Sequence, residues 1–239
     1  MSSNDATVVL AHGAWADGSS WAKVINSLAA QGIQVIAVPL PLTSFSDDVA
    51  ALERTLARVR GPVVLAGHAY AGAVIGATRN EKVRALVYVT ALAPDEGETV
   101  ADLFYRTEPH PQAPMLTPDE QGIIYLPKAA FAAAFAQHAT AEEQTLLAAV
   151  QRPISTACIT VAADRPLWKD RPSWFLVAEE DRMIAPENQR FMAARMKARV
   201  RSQQVDHTPI VTAPGVVVEI IRDALQHVAT HDVAMPKAM

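Results

Sequence analysis

The stretch Val63-Val64-Leu65-Ala66-Gly67-His68-Ala69-Tyr70-Ala71-Gly72 decides the fold. Its first four residues are apolar and rich in β-branched side chains, the pattern of a buried strand, and the segment after Gly67 opens a helix. A strand that turns this abruptly into a helix brings backbone segments too close for bulky side chains. Gly67, Ala71 and Gly72 supply the smallness and leave Ala69 at the apex of the turn.

Outward from this turn, short β-branched runs recur at Thr7 to Ala11, Gln34 to Val38, Pro62 to Ala66, Ala85 to Thr90, Ser173 to Ala178 and Arg201 to Val205. Segments of helical period separate them. Ser19 and Ser20 precede Trp21, Val24, Ile25 and Leu28, a helix that stops near Gly32. Ser44 or Ser46 caps a second, with Val49, Leu52, Leu56 and Val59 on one stripe and Asp47 and Asp48 at its positive end. A last helix is expected from about Val216 to Val228. Apolar strands alternating with helices predict an α/β fold, a mostly parallel sheet covered on both faces. Between Pro94 and Pro172 the alternation fails. The insertion, about residues 95–170, carries the proline-bearing stretch Pro109 to Pro118 and alanine-rich helical stretches such as Ala129 to Gln137, and is read as a helical lid over the carboxyl ends of the strands. The tail from Thr230 to Met239 has no apolar period and is expected to be loose.

The chain has 239 residues, half of them hydrophobic, which fits one domain spanning residues 1–239. Lys and Arg number 21 against 25 Asp and Glu, a net charge of −4 that offers no footprint for a nucleic-acid backbone or an anionic membrane. A small molecule is the expected partner, and a homodimer is compatible with the sequence. Cys158 is the single cysteine, so no internal disulfide and no thiol metal cluster can form. Met1 to Thr7 lack the basic start and long apolar run of a signal peptide, and a cytoplasmic setting is expected. His227 and His231 have metal-ligand spacing without a third ligand nearby, and no glycine-rich phosphate loop is present; neither a metal nor a cofactor is expected.

The turn resembles that of the small α/β-hydrolases, esterase-like proteins with Gly-His-Ser-Tyr-Gly-Gly or Gly-His-Ser-Tyr-Ala-Gly at this place. The resemblance extends along the chain: His12-Gly13-Ala14-Trp15 with Asp17-Gly18-Ser19-Ser20-Trp21, Pro41-Leu42-Thr43-Ser44, Asp47-Asp48-Val49, Leu86-Val87-Tyr88-Val89, Ala93-Pro94-Asp95-Glu96-Gly97-Glu98, Asp181, and His207-Thr208-Pro209. It implies the α/β-hydrolase fold with Ala69 at the nucleophile position, Asp181 as the acid and His207 as the base, in the chain order this fold uses. It further implies an oxyanion hole built from a backbone N–H near Ala14 or Trp15 and the N–H of Tyr70, a hole that loss of the serine side chain leaves intact. Asp206 adjoins His207 but points to the other face of an extended segment. Asp95 is the stronger rival for the acid and ranks behind Asp181.

A methyl group cannot attack a carbonyl, so covalent chemistry through residue 69 is excluded. Three readings follow. The chain is a serine hydrolase whose serine has been exchanged; or an enzyme using His207 and Asp181 as a non-covalent acid–base pair on a small, largely apolar carbonyl or ester compound; or a ligand-binding pseudoenzyme with a retained pocket. His12 and His68 read as structural residues bracing the two loops. Of Trp15, Trp21, Trp168 and Trp174, Trp168 is the candidate to line a pocket. Glu179 and Glu180 read as solvated neighbours of Asp181.

Overall fold

The computed structural model describes residues 6–232; Met1 to Asp5 and residues 233–239, most of the loose tail expected above, lie outside the described residues. Eight strands follow in order: β1 (Thr7–Ala11), β2 (Gln34–Val38), β3 (Val63–His68), β4 (Val83–Val89), β5 (Ile123–Ile124), β6 (Ile154–Ser155), β7 (Ser173–Ala178) and β8 (Arg199–Gln203). The helices are α1 (Ala22–Ala29), α2 (Phe45–Arg58), α3 (Ala71–Ala77), α4 (Val100–Phe104), α5 (Lys128–Ala130), α6 (Ala141–Val150), α7 (Pro186–Arg195), α8 (Pro209–Thr212) and α9 (Pro214–Asp232).

Six strands form one parallel sheet in the order β2-β1-β3-β4-β7-β8, while β5 and β6 pair antiparallel within the insertion. The central strands β1, β3 and β7 are buried along their whole length, which is why they read as unbroken apolar runs. β8 has a neighbour on one side only, and all of its residues are exposed or half-buried. That is the reason its hydropathy misplaces it: the strand begins at Arg199, two residues before the expected start. β3 runs on to His68 because Gly67 and His68 pair with Tyr88 and Val89, a ladder that hydropathy does not register.

α1, α8 and α9 pack together on the sheet, and α2 packs on α3. α1 is preceded by a 3-10 turn, Gly18–Trp21, capped by Asp17 rather than by Ser19 or Ser20; the Asp17 carboxylate accepts from Ser19 N–H at 2.8 Å. Ser44 caps α2 by accepting from Asp47 N–H. α9 runs past the expected end at Val228 to Asp232, so the start of the tail is helical. From β1 the chain crosses to β2 on one side and then to β3 on the other. The connections after β1 and β3 therefore diverge at their carboxyl ends and leave a crevice, the place where open parallel sheets bind ligands.

Candidate active site

Ala69 sits at that crevice in the left-handed backbone region, φ 50°, a conformation that costs a residue with a Cβ about 1 kcal/mol or more. The surrounding bonds hold it there. Ala69 N–H donates to Val89 O, and Ala69 O accepts from Gly72 and Leu92 N–H at 3.1 and 3.0 Å. A Cβ on Gly72 would stand 2.8 Å from that of Ala91, so only glycine lets α3 start this close to the segment after β4.

The loop after β1 is pressed against the turn. A Cβ on Gly13 would fall 2.9 Å from that of Ala69. His12 anchors the loop with both ring nitrogens: Nδ1–H donates to Gly13 O and Nε2 accepts from Leu40 N–H. Burial holds its pKa below the usual histidine value, consistent with this neutral, structural role. Trp15, also left-handed at φ 57°, donates its N–H to Arg152 O at 2.9 Å. Of the two donors the sequence left open, Trp15 is thus already engaged and Ala14 remains. The N–H groups of Ala14 and Tyr70 have no acceptor among the described residues, although both residues are buried. Buried backbone donors without partners are rare.

Asp181, after β7, and His207, after β8, meet beside this crevice. His207 Nδ1 lies 2.9 and 3.1 Å from the two Asp181 carboxylate oxygens, with both side chains buried. Asp181 also accepts from the N–H groups of Met183 and Ile184 and from Gln189 Nε2 at 2.7 Å. Gln189, fully buried on α7, completes its bonds with Ile184 O and Ala178 N–H, and it went unread in the sequence. The His207 carbonyl accepts from His68 Nε2 and Thr90 Oγ1, which fixes His207 from behind. Burial, then the His207 imidazole beside it, lowers the His68 pKa to about 3.

The rivals are occupied elsewhere. Asp206 accepts from His138 N–H, Thr208 N–H and Thr212 Oγ1, and Asp95 pairs with Lys169. Glu179 binds Arg190 and Ser202, and Glu180 binds His138. His227 meets Trp174 edge-on and lies against His231, and no cluster able to hold a metal ion exists among the described residues.

A cavity of about 60 Å³ opens between Ala14, Trp15, Ala69, Tyr70 and His207 below and Phe104, Leu116, Ile124, Ile154 and Ile159 of the insertion above. No Lys, Arg, Asp or Glu lines it. Trp15 is the tryptophan at this cavity, with its indole N–H donated to Ile124 O. Trp168, the tryptophan singled out above to line a pocket, instead donates to Pro94 O, packs under Lys169 and Arg195 and does not line this cavity.

Behind the turn, the Tyr70 hydroxyl donates to Asp48 Oδ2 at 2.7 Å, Leu42 N–H donates to Oδ1 at 2.8 Å, and the Cys158 thiol lies 3.6 Å from Oδ2. Asp48 stands in the first turn of α2, as expected, and is fully buried there; burial pushes its pKa up against the pull of these donors. The same burial, with the Asp48 charge, pushes Cys158 up to about 12.

A family model described as "Alpha/beta hydrolase family" matches residues 8–220, and the chain belongs to that family. No curated protein matches it. Among solved structures, a pyrethroid hydrolase from Sphingobium faniae superposes with a TM-score of 0.80 at 22% identity, covering 95% of this chain and 100% of that one. Polyneuridine aldehyde esterase gives 0.75 at 20%, covering 91% and 98%. A histidine-to-alanine variant of tomato methylketone synthase I, complexed with β-ketoheptanoate, gives 0.78 at 18%, covering 92% and 98%. At these identities the likeness is one of fold. No helix among the described residues is long and apolar enough to cross a membrane.

Proposed function

We propose that the chain is a non-covalent acid–base catalyst acting on a small, largely apolar carbonyl compound, in a single domain whose insertion serves as lid. The observation that carries this reading is the pair of unpartnered N–H groups at Ala14 and Tyr70, which border one apolar cavity with the His207–Asp181 pair while residue 69 contributes only a methyl group. Two N–H donors stabilise charge that develops on a carbonyl oxygen. His207, held in one tautomer by Asp181, gives or takes a proton beside it.

Loss of carbon dioxide from a β-keto acid needs these parts and no nucleophile. The bond to the carboxylate breaks, its electron pair flows into the ketone to form an enolate at the two N–H groups, and a proton delivered through His207 to the α-carbon completes the ketone. A cavity without a cationic side chain leaves the carboxylate poorly solvated and favours a transition state in which its charge spreads. The fold neighbour that holds β-ketoheptanoate supports this choice of first substrate.

The test offers the chain β-ketoheptanoate and follows release of 2-hexanone, in parallel with the Ala69→Ser form on short aryl esters. Ketone release that falls by about 100-fold or more in His207→Ala supports the reading. Saturable binding without turnover of either substrate class would make the chain a ligand-binding protein. An ester burst from Ala69→Ser, with no ketone release from the parent, would make it a serine hydrolase whose serine has been exchanged.

A further inference from the structure

A second cavity, of about 310 Å³, lies against the first on its outer side. The two share Phe104, Tyr105, Leu116 and Met183 as lining, so the wall between them is one side chain thick. The inner cavity, at about 60 Å³, holds roughly four or five water-sized groups, enough for a carbonyl and a short stub and too little for a longer molecule. Whatever reaches the N–H groups of Ala14 and Tyr70 with more than that must extend through this wall or push the insertion away.

The wall consists of apolar and aromatic side chains only. Met183 is unbranched and adapts its shape readily. The other three residues come from the insertion, where Tyr105 stands 56% exposed. Beyond the wall the outer cavity is lined by Ala113, Pro114 and Met115, and Met115 is 87% exposed, an apolar surface that water covers at a cost. Thr107, Glu108 and His110 also line it, and the Glu108 carboxylate disfavours a substrate with an anionic far end. We infer that the two cavities are halves of one binding site for an unbranched aliphatic carbonyl compound, with the carbonyl end in the inner cavity and the alkyl tail in the outer one. This rests on the proposed carbonyl site for its polar end, and only there.

Calorimetric titration of 2-butanone through 2-undecanone, with 1-alkanols of matching length beside them, tests the inference. Each methylene that enters the outer cavity is expected to tighten binding by up to about fourfold. Ala113→Trp and, as a second variant, Thr107→Trp fill the outer cavity alone, so they are expected to abolish this gain while leaving 2-butanone affinity at the parent value, which also reports that each variant is folded. A gain that persists in both variants, or affinity independent of chain length in the parent, overturns the bipartite site. Ketones and alkanols with the same gain and the same affinity would keep the tail site and sink the carbonyl reading; 2-butanone that binds better than its alkanol, with no gain from length, would do the reverse.

Discussion

The two halves of the cavity are built differently. The sheet-borne half, on the loops after β1, β3, β7 and β8, is held by buried polar bonds: His12 to Leu40, His68 and Thr90 to the His207 carbonyl, Gln189 to Asp181. The insertion-borne half supplies mostly apolar side chains and touches the sheet side through scattered bonds, such as Arg152 O to Trp15 N–H and Leu42 O to Ser155 N–H. The difference separates two tasks. On the function proposed above, geometry that must hold within a fraction of an ångström sits where strands end, and the apolar surface that receives the ligand sits on a long excursion between β4 and β7.

The sharpest way to break this division is kinetic. Asp181→Asn keeps the size of the side chain but presents an amide to His207 Nδ1, which favours the wrong tautomer, and turnover of β-ketoheptanoate is expected to fall about 1000-fold or more with KM little changed. Phe104→Ala on the insertion side is expected to raise KM several-fold and leave kcat within about tenfold. Comparable losses in kcat from both variants would mean that the insertion shares the chemistry.

Stability against acid sharpens the same contrast, because the buried histidines belong to the sheet side. The folded pKa of His68, about 3, lies below the unfolded value of about 6.5. Between these values the unfolded chain binds the extra proton, so stability is fully present above pH 6.5 and is lost as pH falls toward 3. From pH 7 to 4.5 the loss from His68 is about 2.5 kcal/mol, and His12, shifted the same way, adds to it. Urea unfolding at the two pH values measures this, and His68→Gln, which retains a donor for the His207 carbonyl, is expected to flatten the dependence. An unchanged slope in that variant would place the acid sensitivity elsewhere.

The same division explains what was legible in the sequence. The strands, the Gly67–Gly72 turn, Asp181 and His207 are local patterns: apolar runs, small residues at a bend, an acid and a base just beyond strand ends. Asp48 was legible only as a residue near a helix start; its burial against Tyr70 and Cys158 depends on partners 22 and 110 positions away. Gln189 follows Asp181 by eight positions, across the turn into α7, with no local mark of its role. The engagement of Trp15 by Arg152, and the apolar ceiling of the cavity, arise from an insertion whose contacts are non-local and whose alanine-rich composition has no strong period. Its α6 buries Leu147 alone, so the apolar-stripe rule had little to read.

Asp48 joins the halves, since it accepts from Tyr70 on the sheet side and faces Cys158 on the insertion side. Tyr70→Phe removes a hydrogen bond to a buried carboxyl and leaves Oδ2 with the weak thiol donor, which is expected to cost about 2 kcal/mol. The readout that decides between local and coupled damage is hydrogen exchange over residues 154–160. Faster exchange there shows that the insertion depends on the turn; a loss of stability with exchange unchanged there would confine the effect to the sheet side.

The smallest effect is expected at the far edge of the insertion, where Lys23 on α1 meets Glu143 on α6 at 2.6 Å. Half of the Lys23 side chain is exposed, so water competes for the charge, and salt screens what remains. Lys23 also donates to Val211 O at 2.9 Å and keeps that bond when its partner is neutral. Glu143→Gln should therefore lower stability by less than about 1 kcal/mol, with the difference shrinking further in 0.5 M salt. A larger loss, insensitive to salt, would mean that this pair clamps the insertion to the sheet side, and the division between the two halves would have to be abandoned.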